Sequence, residues 1–282
     1  MGSKWKRIAV VMSLAAFVAL FAAACGSGGD DTGTSASATS GGESSGGETE
    51  KFVAEPQAAA ERVAGRLADR GLVPSDVFGI FGESFEALAV NHPEATIRAE
   101  SMRHFEALLE FARRLGAPGV TILPGTPFAG VDKDESLALA AVELERRARV
   151  ANEAGLRFSV EPHVGSITPD PEQTLALLER AESVRLALDL SHFAYLGIGQ
   201  ADASPLFART AHVHLRQAGP GRIQARVGEG TIDFPRLRDE LAASGYDGYL
   251  ALEYQWEEGE LDFTRVDCIA ETAALRDLVL GG

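Results

Sequence analysis

Residues 51–282 alternate between short continuous apolar runs and longer stretches with a helical period. The runs "DVFGIFG" (76–82), "GVTILPG" (119–125), "RFSVEPH" (157–163), "VRLALDLSHF" (184–193), "TAHVHLRQ" (210–217) and "GYLALEYQ" (248–255) predict strands. Six strand cores follow, near 77–81, 119–123, 157–161, 184–189, 211–215 and 248–253. Each is apolar on both faces rather than alternating, as expected of parallel strands covered on both sides. Between them lie the helical stretches. Residues 99–115 place Met102, Phe105, Leu108, Leu109, Ala112 and Leu115 on one face, and Gly116 follows as a stop. Residues 134–155 form another helix, ending at Gly155. Asp170-Pro171-Glu172-Gln173 is a helix start, with a capping side chain, a proline at the first helical position and Gln at the third. Further helices are expected at 233–245, capped by Asp233, and at about 264–279. "EPQAAAERVAGRLADRG" within 51–73 reads as one helix with no clear strand before it.

Regular β/α alternation predicts an α/β domain with a parallel sheet, either an open doubly wound sheet or a (β/α)8 barrel. No G-x-G-x-x-G follows a strand and no G-x-x-x-x-G-K-[ST] occurs, so nucleotide-binding readings have no support.

The first fifty residues have a different texture. Lys4, Lys6 and Arg7 precede the apolar run "IAVVMSLAAFVALFAAA" (8–24), the layout of a secretory signal. The run is short for a membrane span. It ends at Ala24-Cys25-Gly26, which resembles the lipobox of bacterial lipoproteins. That resemblance implies a signal over 1–25, lipid on Cys25, and an exported protein anchored through that lipid to the outer face of the bacterial cell membrane. Residues 26–50, "GSGGDDTGTSASATSGGESSGGETE", offer almost nothing to bury and read as a disordered Gly/Ser/acidic linker. The folded domain is then 51–282.

Composition narrows the partners. The formal net charge is −15, a poor match for nucleic-acid phosphates. There are two cysteines. With Cys25 lipidated, Cys268 has no internal disulfide partner and is expected to be a small buried thiol.

The strand ends carry the chemistry. Phe158-Ser159-Val160 leads to Glu161, Leu186-Ala187-Leu188 to Asp189, Ala211-His212-Val213 to His214 and Leu250-Ala251-Leu252 to Glu253. In a barrel the C-terminal strand ends share one face, so these four would converge. Three carboxylates and an imidazole repel ionisation of one another unless a cation joins them. Three oxygens and one nitrogen suit Mn²⁺ or Mg²⁺ first, then Co²⁺ or Zn²⁺.

"FSVEPH", "LALDLSHF", "AHVHLRQ", "GEGTIDF" and "YDGYLALEY" together resemble the sugar phosphate isomerase/epimerase family, the xylose isomerase-like TIM barrels. The resemblance covers about residues 70–280. It implies a (β/α)8 barrel; a signal and a linker stand where the family's N-terminal βαβ unit is expected, so either that unit is incomplete and the barrel open or distorted, or its strands lie in segments without a readable pattern. It implies one divalent metal ion held by Glu161, Asp189, His214 and Glu253. Glu161 and Glu253 would also be the catalytic carboxylates in an isomerisation or epimerisation of a sugar, sugar phosphate or polyol, by proton transfer through a metal-stabilised enediolate. The Asp-x-x-His pair Asp189 and His192 puts His192 near substrate, and His163 points to the same region by position. His212 would be a hydrogen-bonded residue one layer deeper. Gln217 replaces the family's acidic residue, and the basic role after it is open between Arg216, Arg222 and Arg226, with Arg222 carried as the substrate-binding candidate. Two readings compete with the enzyme: a lipid-anchored sugar-binding or degenerate barrel, and another enzyme on the same scaffold, such as a dehydratase or an abasic-DNA endonuclease. The endonuclease relatives need many more histidines than the six present, and acidity speaks against DNA.

Overall fold

The computed structural model describes residues 51–256 and 265–281, together with the backbone of Ile8–Ala9. Six parallel strands form in the expected places: β2 (Val77–Gly79), β3 (Gly119–Ile122), β4 (Arg157–Val160), β5 (Arg185–Asp189), β6 (Thr210–Leu215) and β7 (Leu250–Leu252). A two-residue strand, β1 (Ile8–Ala9), runs parallel to β7, Ile8 beside Leu250 and Ala9 beside Ala251. The order is β1-β7-β6-β5-β4-β3-β2, so every strand from β2 to β7 lies beside its neighbour in sequence. The rest of the expected 1–25 signal, the 26–50 linker and Cys25 lie outside the described residues.

Helices connect the strands: α1 (Pro56–Ala68), α2 (Ala95–Leu115), α3 (Lys133–Glu153), α4 (Pro171–Arg180), α5 (Leu190–Tyr195), α6 (Phe234–Ala243) and α7 (Cys268–Leu280), with a 3₁₀ segment over Gln200–Arg209. The expected caps form. Asp170 accepts from the Gln173 amide at 2.8 Å and Asp233 from the Arg236 amide at 3.0 Å. Gly116 closes α2 at φ 76°, a left-handed position that glycine adopts without steric cost.

Helix α2 begins four residues earlier than its apolar pattern predicts. Its first turn, Ala95 and Thr96 exposed and Ile97 and Arg98 half-buried, holds no buried position to mark it. The 3₁₀ segment was not legible either. It contains Pro205 and keeps no 3.6-residue period, although Ala203, Leu206 and Phe207 are buried. Cys268 is buried at the start of α7, as expected.

One core joins the sheet to its helices, with Phe105 of α2 meeting Phe158 of β4 edge-on at 5.3 Å between ring centres. The sheet curls. Glu161, after β4, and Glu253, after β7, meet at His214 of β6, although β5 and β6 lie between them in the sheet. The C-terminal strand ends thus gather at one mouth, while the sheet's two ends are β1 and β2. Between Ile8–Ala9 and Val77 the described residues supply α1 and no strand. The residues between 9 and 51, where an N-terminal βαβ unit would fall, lie outside the described ones, and the short strand beside β7 is one that the sequence pattern did not reveal. Among the described residues no helix is long and apolar enough to cross a membrane.

Candidate active site at the C-terminal strand ends

Strand β6 supplies the centre of the site. His212, His214 and Arg216 alternate with Val213 and Leu215, so all three project to the same side of the strand. Register fixes their neighbours: Asp189 of β5 pairs with His214, and Ala251 of β7 pairs with it from the other side.

His214 Nδ1 lies 2.7 Å from Glu161 Oε1 and 3.4 Å from Glu253 Oε2. The three are almost withdrawn from solvent, with side-chain exposures of 11%, 6% and 15% for His214, Glu161 and Glu253. One ligand atom from each falls within 4.8 Å of the others. Burial opposes charge on His214, but Glu253, the Glu161 hydrogen bond and the charges of Glu161 and Asp189 raise its pKa to about 10. Burial also pushes the Glu161 carboxyl up. The hydrogen bond and charge of His214, with His163 and Arg216 behind them, outweigh it and hold Glu161 below the ordinary carboxylate value. Glu253 moves the other way: burial dominates, and its pKa is raised. The two carboxylates on one imidazole are therefore shifted in opposite directions, Glu161 downward and Glu253 upward. Gln255 Nε2 donates to Glu253 Oε1 at 3.2 Å, and Gln255 is itself tied to Gln224, whose Oε1 accepts from the Gln255 amide at 2.8 Å.

A second group shares Glu161. Glu161, His163 and His192 also bring one ligand atom each within 4.8 Å. The two rings stand 3.9 Å apart between centres, and Phe85 closes edge-on against His163 at 5.3 Å. His163 Nδ1 makes a 2.5 Å contact with the Val164 carbonyl. Burial, then the charges of His163, Arg216 and His214, drives His192 well below its ordinary pKa, so its ring stays neutral. Both histidines thus sit at the mouth beside Glu161, where the sequence reading put them.

Asp189 is placed differently from the expectation. Its oxygens belong to neither group of converging ligand atoms. Oδ1 accepts from the Ser191 amide at 2.8 Å; Oδ2 accepts from Ser191 Oγ at 2.7 Å and from Arg216 Nη2 at 2.9 Å. Asp189 caps α5, a short helix, and that local duty competes with ligation. Of the three arginines, Arg216 is the one at the cluster. Arg222 is exposed, and its Nη2 donates to the Glu229 carbonyl of its own loop at 2.8 Å, so the structure does not bring it into the group. Arg226 pairs with Glu229 at 3.8 Å on the surface. His212 is buried under His214, as expected of a residue one layer deeper, their rings perpendicular at 5.0 Å, and its Nδ1 has no hydrogen-bond partner among the described residues.

The sequence reading also missed Ser191, Gln255 and Phe85. Ser191 stands inside the D-x-x-H stretch, where its spacing from Asp189 was a signal for an Asx-type cap. Gln217, expected as a substitute in the substrate region, instead holds the loop that follows. Its Oε1 accepts from the Ala218 and Ile232 amides, and its Nε2 donates to the Ile232 carbonyl at 3.1 Å. A cavity of about 660 Å³ lies at the opposite, N-terminal end of the strands, lined by α1, Pro118, Arg157 and Tyr249, far from these carboxylates.

Comparison with known proteins agrees with this fold. Residues 44–277 match the family described as xylose isomerase-like TIM barrel. A putative hydroxypyruvate isomerase from Streptomyces coelicolor is 29% identical over 176 residues, which is 57% of this chain and 62% of that relative. The chain thus spans about three-fifths of that relative's length. Among solved structures, a D-psicose 3-epimerase crystallised in the presence of D-fructose superposes with a TM-score of 0.65 at 17% identity, over 83% of this chain and 88% of the other. A xylose isomerase-like TIM barrel protein from Mycobacterium smegmatis in complex with magnesium superposes with a TM-score of 0.58 at 14% identity, over 76% of each. At these identities the superpositions speak to the fold.

Proposed function

The chain belongs to the xylose isomerase-like TIM barrel family, and on that premise we propose that it is a divalent-metal-dependent isomerase or epimerase of a sugar, sugar phosphate, polyol or smaller α-hydroxycarbonyl compound. The observation that carries the reading is the meeting of Glu161, His214 and Glu253 from three strand ends within 4.8 Å, in a curled sheet whose relatives include named isomerases and epimerases. Two carboxylates and an imidazole in a nearly dry mouth fit a hard cation, Mn²⁺ or Mg²⁺ ahead of Co²⁺ or Zn²⁺. Such a cation would polarise a substrate carbonyl and its neighbouring hydroxyl, lowering the cost of the charge left when a C–H proton departs.

The chain's own groups divide the proton work. Glu161 takes the C–H proton, and Glu253, which meets His214 from the other side, returns one. His192, whose ring burial keeps neutral, and His163 beside it offer ring nitrogens to substrate hydroxyls. Phe85 and Phe78 help to exclude water, Phe78 standing 6.2 Å from His214 between ring centres. Export and lipidation at Cys25 remain part of the proposal, supported by Lys4, Lys6, Arg7 and the apolar run ending at Ala24. Incorporation of labelled fatty acid that is lost in Cys25→Ser tests that part.

The test of the reaction is a proton-exchange screen. Ketoses, aldoses and hydroxypyruvate are incubated with the protein and Mn²⁺ or Mg²⁺ in D₂O and followed by NMR. The expected result is deuterium entering the carbon next to the carbonyl of one substrate, abolished in Glu161→Gln. Saturable sugar binding with no exchange in any compound would overturn the enzyme reading in favour of a binding barrel.

A further inference from the structure

Resting on the metal reading above, we infer that Arg216 is a built-in counter-cation that keeps Asp189 out of the metal's ligand set, leaving a three-ligand site of moderated affinity. A carboxylate offers about four acceptor positions. Three of those on Asp189 are taken: Ser191 N and Ser191 Oγ hold one each, and Arg216 Nη2 a third at 2.9 Å. Ser191 Oγ also receives Arg216 Nη2 at 2.9 Å and Nε at 3.3 Å, so the hydroxyl and the carboxylate together grip one edge of the guanidinium. Exposure of the Asp189 and Arg216 side chains is 1% and 3%.

A buried guanidinium cannot give up its carboxylate cheaply, because either charge left alone in that environment is strongly unfavourable. Turning Asp189 toward a cation would also strip the Ser191 amide, in the first turn of α5, of its cap. The charges argue the same way. Glu161, Glu253 and Asp189 carry up to three negative charges, which a divalent cation and Arg216 balance. Without Arg216 the pocket would be left with an excess negative charge and a mobile fourth carboxylate, both of which tighten cation binding. Strand geometry makes the arrangement local to β6: Arg216 follows His214 by two residues, so ligand and counter-cation face the same mouth.

The experiment is Mn²⁺ titration of the full chain, free ion read by electron paramagnetic resonance, on wild type, Asp189→Asn, Arg216→Met, the double variant and Glu253→Gln, with folding checked by circular dichroism. Asp189→Asn is expected within about threefold of wild type, while Glu253→Gln weakens binding at least tenfold. Arg216→Met is expected to bind at least tenfold more tightly, and the double variant to lose that gain. A tenfold or greater loss in Asp189→Asn, or a folded Arg216→Met that binds no tighter, overturns the inference. Should Arg216→Met fail to fold, Asp189→Asn decides alone by the same threshold. If wild type binds no Mn²⁺ but Arg216→Met does, the metal reading of the native protein fails while Arg216's effect stands. If no variant binds, both fail.

Discussion

His214 and Glu161 are joined across the mouth of the curled sheet by a 2.7 Å contact, Nδ1 to Oε1, although 53 residues separate them. The partnership sets a pH window. The folded protein holds His214 at a pKa of about 10, above its unfolded value near 6.5. Stability from this group is therefore fully present below about pH 6.5 and is lost as pH rises toward 10. In chelator-treated protein, the unfolding free energy from denaturant titrations should fall between pH 7 and pH 10 by roughly 3–5 kcal/mol on the scale of such a shift. His214→Gln should flatten that slope. An equal slope in the variant would assign it to other groups.

The split between the two carboxylates makes their conservative variants unequal. Glu161→Gln removes the anion that His214 pairs with and the proposed proton acceptor together, so both metal content and exchange activity should vanish. Glu253→Gln keeps the Glu161–His214 pair, and it should lose most of its cation affinity and about 10²–10⁴ in exchange rate, the usual worth of a positioned acid or base. Metal per chain by mass spectrometry, beside deuterium incorporation, separates the two.

Much of this was legible in the chain because fully buried parallel strands write themselves as unbroken apolar runs. "FSVEPH" and "YLALEY" therefore showed where β4 and β7 end and which carboxylate follows each. The convergence of Glu161, His214 and Glu253 followed from strand ends alone. The place of Asp189 did not, because its oxygens answer to Ser191 two residues on and to Arg216 just past the end of the next strand. That competition depends on register, not on the type of residue at a strand end. Arg216 was indistinguishable from Arg222 and Arg226 in sequence for the same reason: only the alternation of β6, seen in three dimensions, turns one of them inward. The pairing of Ile8–Ala9 with β7 was hidden because two residues inside a long apolar run carry no period of their own.

The loop after β6 rests on a backbone approach that no side chain can enter. A Cβ built on Gly230 would stand 2.2 Å from the Ala218 carbonyl oxygen and 2.3 Å from Gln217 Oε1. Gly230→Ala should thus push the loop off Gln217 and cost about 1–3 kcal/mol, the range for overpacking a tight site. A chemical denaturation midpoint that does not move would show that the loop gives way freely.

Asp76 is a carboxylate at the other end of the strands with the opposite pH sign. Its Oδ2 accepts from Thr121 Oγ1 at 2.6 Å, yet burial dominates the bond to Thr121 and the charges of His214 and Arg157, and its pKa is raised to about 6. A carboxyl that holds its proton more tightly when folded stabilises the native state at low pH. The contribution is present below about pH 4 and disappears as pH climbs through 6, so that ionised Asp76 strains the fold at neutral pH by up to about 3 kcal/mol. Asp76→Asn keeps an oxygen for Thr121 and removes the charge. The variant should unfold at a higher denaturant concentration than wild type at pH 7.5, and the two should converge near pH 4. A variant weaker than wild type at both pH values would mean that the carboxylate is needed for the Thr121 bond itself, and that its burial at neutral pH carries no net cost.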